Sequence, residues 1–275
     1  MMETTLLKNI KEYTKEWKTS LKDRLNGQAA TIYIIQVGDN EASNRYVRNK
    51  IKDCEEIGIE AILLKLPEEV TTEDVQEVIV KNYMADPHAA MMVQLPVPAH
   101  IDIHKVIAAI PEKGDVDGMK PLSKFKPCTP LGIMKYLEHC EYDLSGKNVT
   151  IIGRSDIVGK PLAQMMTDAD ATVTLCHSKT KNLWTFIETA DLIVSAVGKH
   201  GILNCYAIHK PVIDVGINFI EVDGKPRLVG DCINTENREV TPVPGGVGLL
   251  TRCALLENIV RMVEGKAHDF TRKHK

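Results

Sequence analysis

Val149-Thr150-Ile151-Ile152-Gly153-Arg154-Ser155-Asp156-Ile157-Val158-Gly159-Lys160-Pro161 is the stretch whose reading decides the fold. A short β-branched run ends in glycine, a polar loop follows, and a second glycine opens a helix. The stretch therefore predicts a strand, a phosphate loop and a helix N-terminus. Helix starts present unpaired backbone N–H groups and the positive end of the dipole, and glycine lets a pyrophosphate approach the backbone closely. The expected ligand is a dinucleotide. The spacing Gly153-x5-Gly159 departs from G-x-G-x-x-G, and an ordinary loop between strand and helix can produce it. Context raises the dinucleotide reading, because a second strand, Ala171 to Cys176, follows within one βαβ unit.

That second strand ends in His177-Ser178-Lys179. An Asp or Glu at this position grips the ribose hydroxyls of NAD, whereas a phosphorylated ribose needs hydroxyl and cationic partners. Ser178 and Lys179, with Arg154 in the loop, favour NADP over NAD; the competing reading makes the pair a solvated turn. Leu192 to Val197 predicts a third strand ending in Gly198, and Val212 to Val215 a fourth ending in Gly216-Ile217-Asn218, both with ends toward the expected ligand crevice. Asp223-Gly224 predicts a hairpin turn, and Thr241 to Gly248 is too rich in proline and glycine for regular structure. A last amphipathic helix is expected from Leu249 to Val263.

Before the nucleotide loop, Leu6, Leu7, Ile10, Tyr13, Trp17 and Leu21 recur at helical spacing. Strands are expected at Ala30 to Val37, Ile59 to Leu66, and His88 to Leu95, the last closed by Pro96 and Pro98. Between them lie a helix from Glu41 to Ile57, stopped by Gly58, and one from Thr71 to Met84 with a capping signal in Thr71-Thr72-Glu73-Asp74. This alternation predicts a parallel sheet separate from the nucleotide one. A Gly114 to Gly118 turn then leads to a helix that starts with proline, Pro130 to Cys140, as the connector between domains.

A chain of 275 residues with this order reads as two α/β domains flanking a cleft, the C-terminal one a Rossmann-type NAD(P)-binding sheet. The expected boundaries are 1–141 plus 250–275 for the first and 142–249 for the second. A net charge of −3 gives no footprint for nucleic acid, and the basic tail Lys266 to Lys275 reads as a frayed end. The 7 cysteines are scattered with no C-x-x-C pair, so neither zinc, nor any other metal, nor a redox dithiol is expected. Met1 to Lys22 carries charges throughout, and no later apolar run is long enough to span a bilayer. A cytoplasmic protein with no membrane partner is expected.

Four residues invite chemistry. Tyr46 and Lys50 lie four apart on one helix face, and a lysine desolvated beside a phenol can move a proton near neutrality. From the pair alone, a surface lysine over a packed tyrosine is the commoner case. Short-chain dehydrogenases use such a pair, but after the nucleotide loop; here it comes well before, which argues for a substrate domain preceding a cofactor domain. Gln94 closes the third strand, where open α/β sheets place ligand contacts, and Asp117, like Asp115, has an ordinary turn explanation.

Together the motifs resemble the bifunctional methylenetetrahydrofolate dehydrogenase/methenyltetrahydrofolate cyclohydrolase family. The resemblance rests on Val37-Gly38-Asp39-Asn40-Glu41-Ala42-Ser43, Tyr46 to Lys50, Val93-Gln94-Leu95-Pro96-Val97-Pro98, Asp115 to Gly118 and Pro127-Cys128-Thr129-Pro130. It continues through Gly153-Arg154-Ser155, Ile157 to Pro161, His177 to Thr180, Ala196 to Lys199, Asp214 to Asn218 and Thr241 to Gly248, in the family's order. The resemblance implies oxidation of 5,10-methylenetetrahydrofolate with NADP, then hydrolysis to 10-formyltetrahydrofolate, in one-carbon metabolism. It implies that Lys50 relays protons for the water attacking the methenyl carbon, that Tyr46 and Gln94 orient it, and that Asp117 bonds the pterin. Ser43, Val93, Leu95, Pro244, Gly245, Gly248 and Thr251 would complete the folate site. Gly153, Arg154, Ser155, Ile157, Val158, Ser178, Lys179, Ala196, Val197, Gly198 and Ile217 would hold the cofactor. A homodimer formed through the nucleotide domain is implied as well.

Four places depart from the family pattern. Leu249-Leu250 stands where Pro-Met is usual, the segment between Gly118 and Pro127 is short, Cys232 replaces valine in Gly230-Asp231-Cys232, and an N-terminal Asp-Gly-Lys is absent. Two rivals remain. A two-domain NADP dehydrogenase of the shikimate or amino-acid type does not explain Val-Gln-Leu-Pro or Pro-Val-Pro-Gly-Gly-Val-Gly. A non-catalytic folate or NADP sensor does not explain why Lys50, Tyr46, Gln94 and Asp117 stand together.

Overall fold

A computed structural model of the chain describes residue 7 and residues 9–121, 123–236 and 238–268. Leu6 of the first expected helix and the basic tail from residue 269 onward lie outside the described residues. The described chain divides into two compact units. One comprises Glu16–Cys128 and the chain from Arg252 onward, the other the residues up to Lys15 together with Thr129–Thr251.

The first unit is built from α1 (Ile10–Leu25, from Glu16 onward), β1 (Thr31–Val37), α2 (Glu41–Ile57), β2 (Glu60–Leu66), α3 (Thr72–Ala85), β3 (Ala90–Val93) and α4 (Ile103–Ala109). Its sheet has the order β2-β1-β3 with both pairings parallel. The centre is β1, and its Ile35 and Val37 pack with Val75 and Ile79 of α3, Met91 and Val93 of β3 and Val106 of α4. A strand buried on both faces needs an apolar residue at nearly every position, which is why β3 reads Ala-Met-Met-Val without alternation.

Local signals set the helix limits. The Asn40 side chain accepts the Ser43 N–H at the start of α2, and Gly58, at φ 90°, ends it in the left-handed region that glycine enters without strain. Thr71 caps α3 and Asp74 returns a bond to the Thr71 N–H, so both halves of the expected capping box are made.

The second unit holds α5 (Cys128–His139, from Thr129 onward), β4 (Asn148–Ile152), α6 (Gly159–Asp168), β5 (Thr172–Cys176), α7 (Leu183–Thr189) and β6 (Leu192–Ser195). It continues through β7 (Leu203–Asn204), β8 (Val212–Asp214), β9 (Asn218–Val222), β10 (Lys225–Val229) and β11 (Cys232–Ile233) to the start of α8 (Val247–Val263). The main sheet is parallel throughout, in the order β5-β4-β6-β8, so the direction of winding reverses beside β4. Ligands of such sheets bind where strand order reverses, outside the carboxyl ends. Across Asp223-Gly224, β9 and β10 form the expected hairpin.

Some limits differ from expectation. α5 starts at Cys128, so Pro130 is its third residue rather than its first, still within the turn whose N–H groups lack intrahelical partners. α8 starts at Val247, two residues before the expected Leu249, and takes in Gly248 from the stretch read as irregular. Neither α4 nor α7 was expected; each is 7 residues long.

Candidate active site

Lys50 lies on the face of α2 turned to the sheet and is only 7% exposed. Its Nζ donates to Gln94 Oε1 at 3.0 Å and to Met92 Sδ at 3.5 Å, and sits 5.6 Å from the centre of the Tyr46 ring. Gln94 is held from two sides. Its backbone N–H donates to the Ile35 carbonyl at 2.8 Å, and its side-chain amide donates to the Leu95 carbonyl at 2.5 Å, which turns the amide oxygen to the lysine. β3 therefore delivers Gln94, and the helix following β1 delivers Lys50 and Tyr46 to the same place.

The electrostatics suit proton movement. Burial pushes the Lys50 amine below the usual lysine range; the charge of Asp117 opposes this, Cys128 and Cys54 less so, while Arg252 adds to it. Burial pushes the Tyr46 phenol up, with Arg252 lowering and Asp117 raising it. A buried amine fixed by a neutral amide oxygen can be neutral near physiological pH and accept a proton.

Asp117 comes from a turn that Asp115 builds. The wholly buried Asp115 accepts the N–H groups of Met119 at 3.2 Å and Lys120 at 3.0 Å, and Ser123 Oγ donates to its carbonyl at 3.4 Å. Gly118, at φ 68°, has no room for a side chain, because a Cβ there would lie 2.6 Å from the Lys126 carbonyl carbon. Asp117, half-buried, is left to act on Lys50, Tyr46 and Cys128. Ser43 is buried and its hydroxyl has no hydrogen-bond partner among the described residues. A polar group in that state loses hydrogen-bond energy unless a ligand or water meets it. Val93 is buried as the last residue of β3, and Leu95 is half-buried before the cis bond to Pro96.

Pro244, Gly245, Gly248 and Thr251, the other expected folate contacts, belong to the second unit. Thr251 Oγ1 donates to the Val247 carbonyl at 3.1 Å and shares a hydrogen bond with Thr129 Oγ1 at 2.9 Å, tying the start of α8 to α5.

In the nucleotide loop, Gly153 sits at φ 118° with a hypothetical Cβ 2.2 Å from the Ala196 carbonyl oxygen, and one on Gly159 would lie 2.0 Å from the Gly153 carbonyl oxygen. These two glycines thus let β4, α6 and the end of β6 close on one another. Ser155 caps the helix from outside: its Oγ accepts the N–H groups of Val158 at 3.2 Å and Gly159 at 3.4 Å, and its carbonyl accepts that of Lys160 at 3.1 Å. The opening N–H groups of α6 are therefore taken within the chain, and a phosphate would meet the dipole and the exposed 154–157 loop instead. Ser178, Lys179 and Arg154 are exposed, and no carboxylate follows β5 at positions 177–180. Ile157, Val197 and Ile217 are exposed apolar side chains at the carboxyl ends of strands or in the loop, the kind of surface an apolar ring covers. The residues fit a dinucleotide with a phosphorylated ribose.

Two groups here escaped the sequence reading. The buried Asp231 carboxylate accepts Ser195 Oγ at 2.9 Å, the N–H groups of Val197 at 2.9 Å, Gly198 at 3.3 Å and Lys199 at 2.8 Å, and Asn218 Nδ2 at 3.1 Å. Asp214 in turn accepts the N–H groups of Gly216, Asp231 and Cys232 at 2.9–3.0 Å. The pair shapes both expected cofactor segments, Ala196 to Gly198 and the turn before Ile217. The motif Gly230-Asp231-Cys232 carried the signal, since Gly216 and Gly230 leave no room for a Cβ against these carboxylates.

Comparison with known proteins agrees with this architecture. Residues 2–117 match the tetrahydrofolate dehydrogenase/cyclohydrolase catalytic domain, and residues 127–267 match the NAD(P)-binding domain of the same family. The "Bifunctional protein FolD" of Lysinibacillus sphaericus is 42% identical over 94% of this chain and 97% of its own. The crystal structure of the bifunctional enzyme FolD, methylenetetrahydrofolate dehydrogenase/cyclohydrolase, from Campylobacter jejuni superposes with a TM-score of 0.87 at 38% identity, covering 94% of this chain and 98% of that one. The Trypanosoma brucei FolD, solved with NADP cofactor and inhibitor, superposes with a TM-score of 0.88 at 29% identity over 94% and 97%. The chain belongs to the tetrahydrofolate dehydrogenase/cyclohydrolase family.

Proposed function

We propose that this chain oxidises 5,10-methylenetetrahydrofolate to the 5,10-methenyl form with NADP and hydrolyses that product to 10-formyltetrahydrofolate, serving one-carbon metabolism. Family membership and the FolD relatives support the two activities. The observation that carries the reading is the buried cluster in which Lys50 Nζ meets Gln94 Oε1 at 3.0 Å beside the Tyr46 ring.

Hydride transfer needs no acid or base, only a donor carbon held close and water kept away. Bound NADP supplies the hydride acceptor, and Gly153, Arg154, Ser155, Ile157, Val158, Ser178, Lys179, Ala196, Val197, Gly198 and Ile217 would hold it. Lys179 and Arg154 favour the 2′-phosphate, with NAD a weaker alternative. Hydrolysis is different, because water attacking the methenyl carbon must lose a proton. Neutral Lys50 takes that proton, Gln94 and Tyr46 fix its direction, and Asp117 bonds the pterin. Ser43, Val93 and Leu95 line the folate, joined by Pro244, Gly245, Gly248 and Thr251. Against the expected 1–141 plus 250–275 and 142–249, the unit that carries Lys50 and its partners runs Glu16–Cys128 with the chain from Arg252 onward, and the cofactor segments lie in Thr129–Thr251.

The enzyme is cytoplasmic and dimeric in this reading. All 7 cysteines are buried and none is in a disulfide, and among the described residues no helix is long and apolar enough to cross a membrane. The β9–β10 hairpin, a two-stranded sheet by itself with Phe219 53% exposed, is the surface a partner copy would cover. Substituting Lys50→Met tests the assignment: cyclohydrolase should fall by about 10²-fold or more while the dehydrogenase persists. A retained cyclohydrolase rate would remove Lys50 from the chemistry.

A further inference from the structure

Lys50 has a neighbour of opposite charge that it does not use. Asp53 lies three residues on along α2, so the two side chains share a helix face, and both residues are 7% exposed. Buried opposite charges one turn apart normally pair. Here the Asp53 carboxylate is engaged elsewhere: Oδ2 pairs with Arg252 Nη1 of α8 at 3.1 Å and Oδ1 with Lys18 Nζ of α1 at 3.4 Å. Lys18 also pairs with Glu56. The Lys50 amine is left to Gln94 and Met92.

We propose that Arg252 is a positioning residue for the Lys50 step: with Lys18 on the other carboxylate oxygen, it keeps Asp53 off the Lys50 amine and leaves that amine to Gln94. The proposal rests on reading Lys50 as the group that moves the proton. A carboxylate paired to the amine would favour the ammonium form, which has no lone pair with which to take a proton from water. The groups acting on Lys50 come from every side: Cys54 on α2, Met92 and Gln94 at β3, Asp117 in its turn, Cys128 at the start of α5, and Arg252 on α8. Of the two carboxylates, Asp117 acts on the amine and stays available for the pterin, whereas Asp53, on the same helix, is held by Arg252 and Lys18. Arg252 also acts directly, by its own positive charge, but it stands last among these influences.

The test uses the full chain carrying Arg252→Met, Arg252→Lys, and Arg252→Met combined with Asp53→Asn. Two quantities are followed against pH: the cyclohydrolase rate on methenyltetrahydrofolate, and the acylation of Lys50 by acetic anhydride, read by peptide mass spectrometry. Arg252→Met should move both midpoints up by about one pH unit, lowering both rates about tenfold at neutral pH, with KM little changed. Arg252→Lys should keep the parent midpoints, and adding Asp53→Asn to Arg252→Met should restore them. Unmoved midpoints in Arg252→Met overturn the proposal, as does a shift that Asp53→Asn does not reverse, or a rise in KM alone. Should Arg252→Met fail to accumulate, Lys18→Met should give a smaller shift in the same direction, and no shift there overturns it. An acylation shift with an unmoved cyclohydrolase profile would uphold the Arg252–Asp53 arrangement and instead overturn the role of Lys50.

Discussion

Lys50 is expensive to bury, and the expense has a sign that can be measured. Desolvation lowers its folded-state pKa, so between that value and the unfolded value of roughly 10.4 the unfolded chain binds a proton that the folded chain does not. Stability contributed by this position is present above the unfolded pKa and is lost as pH falls through that window. Replacing Lys50 with methionine should therefore raise Tm at pH 7, and the gain should vanish toward pH 10.5. Differential scanning calorimetry at both pH values checks this, and a lower Tm at pH 7 would mean that the bond to Gln94 outweighs desolvation. On the role proposed for Lys50, activity follows the same proton. The cyclohydrolase rate should climb with pH through the lowered Lys50 pKa while the dehydrogenase stays flat. Gly153 is the second decisive residue: Gly153→Ala places a methyl group 2.2 Å from the Ala196 carbonyl oxygen at a positive φ. Thermal shift with added NADP should show the parent stabilised and this variant not.

Elements fix which cofactor and which limits the chain adopts. The exposed end of β5 offers Ser178 and Lys179 where NAD enzymes carry a carboxylate, so Ser178→Asp should cut kcat/KM for NADP about tenfold or more and spare that for NAD. Equal losses with both cofactors would count against a 2′-phosphate contact there. The strands of the two parallel sheets and the long helices were legible because their apolar periods run for several turns or fill a whole strand, as in β1 and α2, whereas the two-residue strands β7 and β11 were not expected. The capping box of α3 was legible from four residues, Thr71 to Asp74. The helices α4 and α7 were not, since two turns give too few apolar repeats to distinguish from a loop. The site divided in the same way. Tyr46, Lys50 and Gln94 stand in motifs specific to the family, whereas Asp53 with Arg252 and Asp214 with Asp231 work through partners 17 to 199 residues away along the chain, by the distance from 53 to 252 and from 214 to 231. Only folding brings such pairs together, and neither periodicity nor spacing encodes them.

At the scale of the whole molecule, the departures from the family pattern are absorbed without changing either unit. Leu249 stands at a usual proline, and its N–H donates to the Gly246 carbonyl at 2.9 Å, a bond proline lacks; Leu250 beside it is wholly buried. The first turn of α8 is thus pinned by a hydrogen bond that a proline at this position could not make. The short segment after Gly118 still lies against that glycine through Lys126, and Asn258 Nδ2 holds both the Val116 and Lys126 carbonyls, at 2.7 and 3.0 Å. Both activities should therefore be intact. The measurement that bears most directly on this is a coupled assay on the purified chain with 5,10-methylenetetrahydrofolate and NADP, following NADPH and methenyl absorbance together. NADPH should form with little methenyl accumulation, because on the role proposed for Lys50 the methenyl product is hydrolysed as fast as it appears. Methenyl accumulating in step with NADPH, or no NADPH at all, would contradict a single enzyme that carries out both steps.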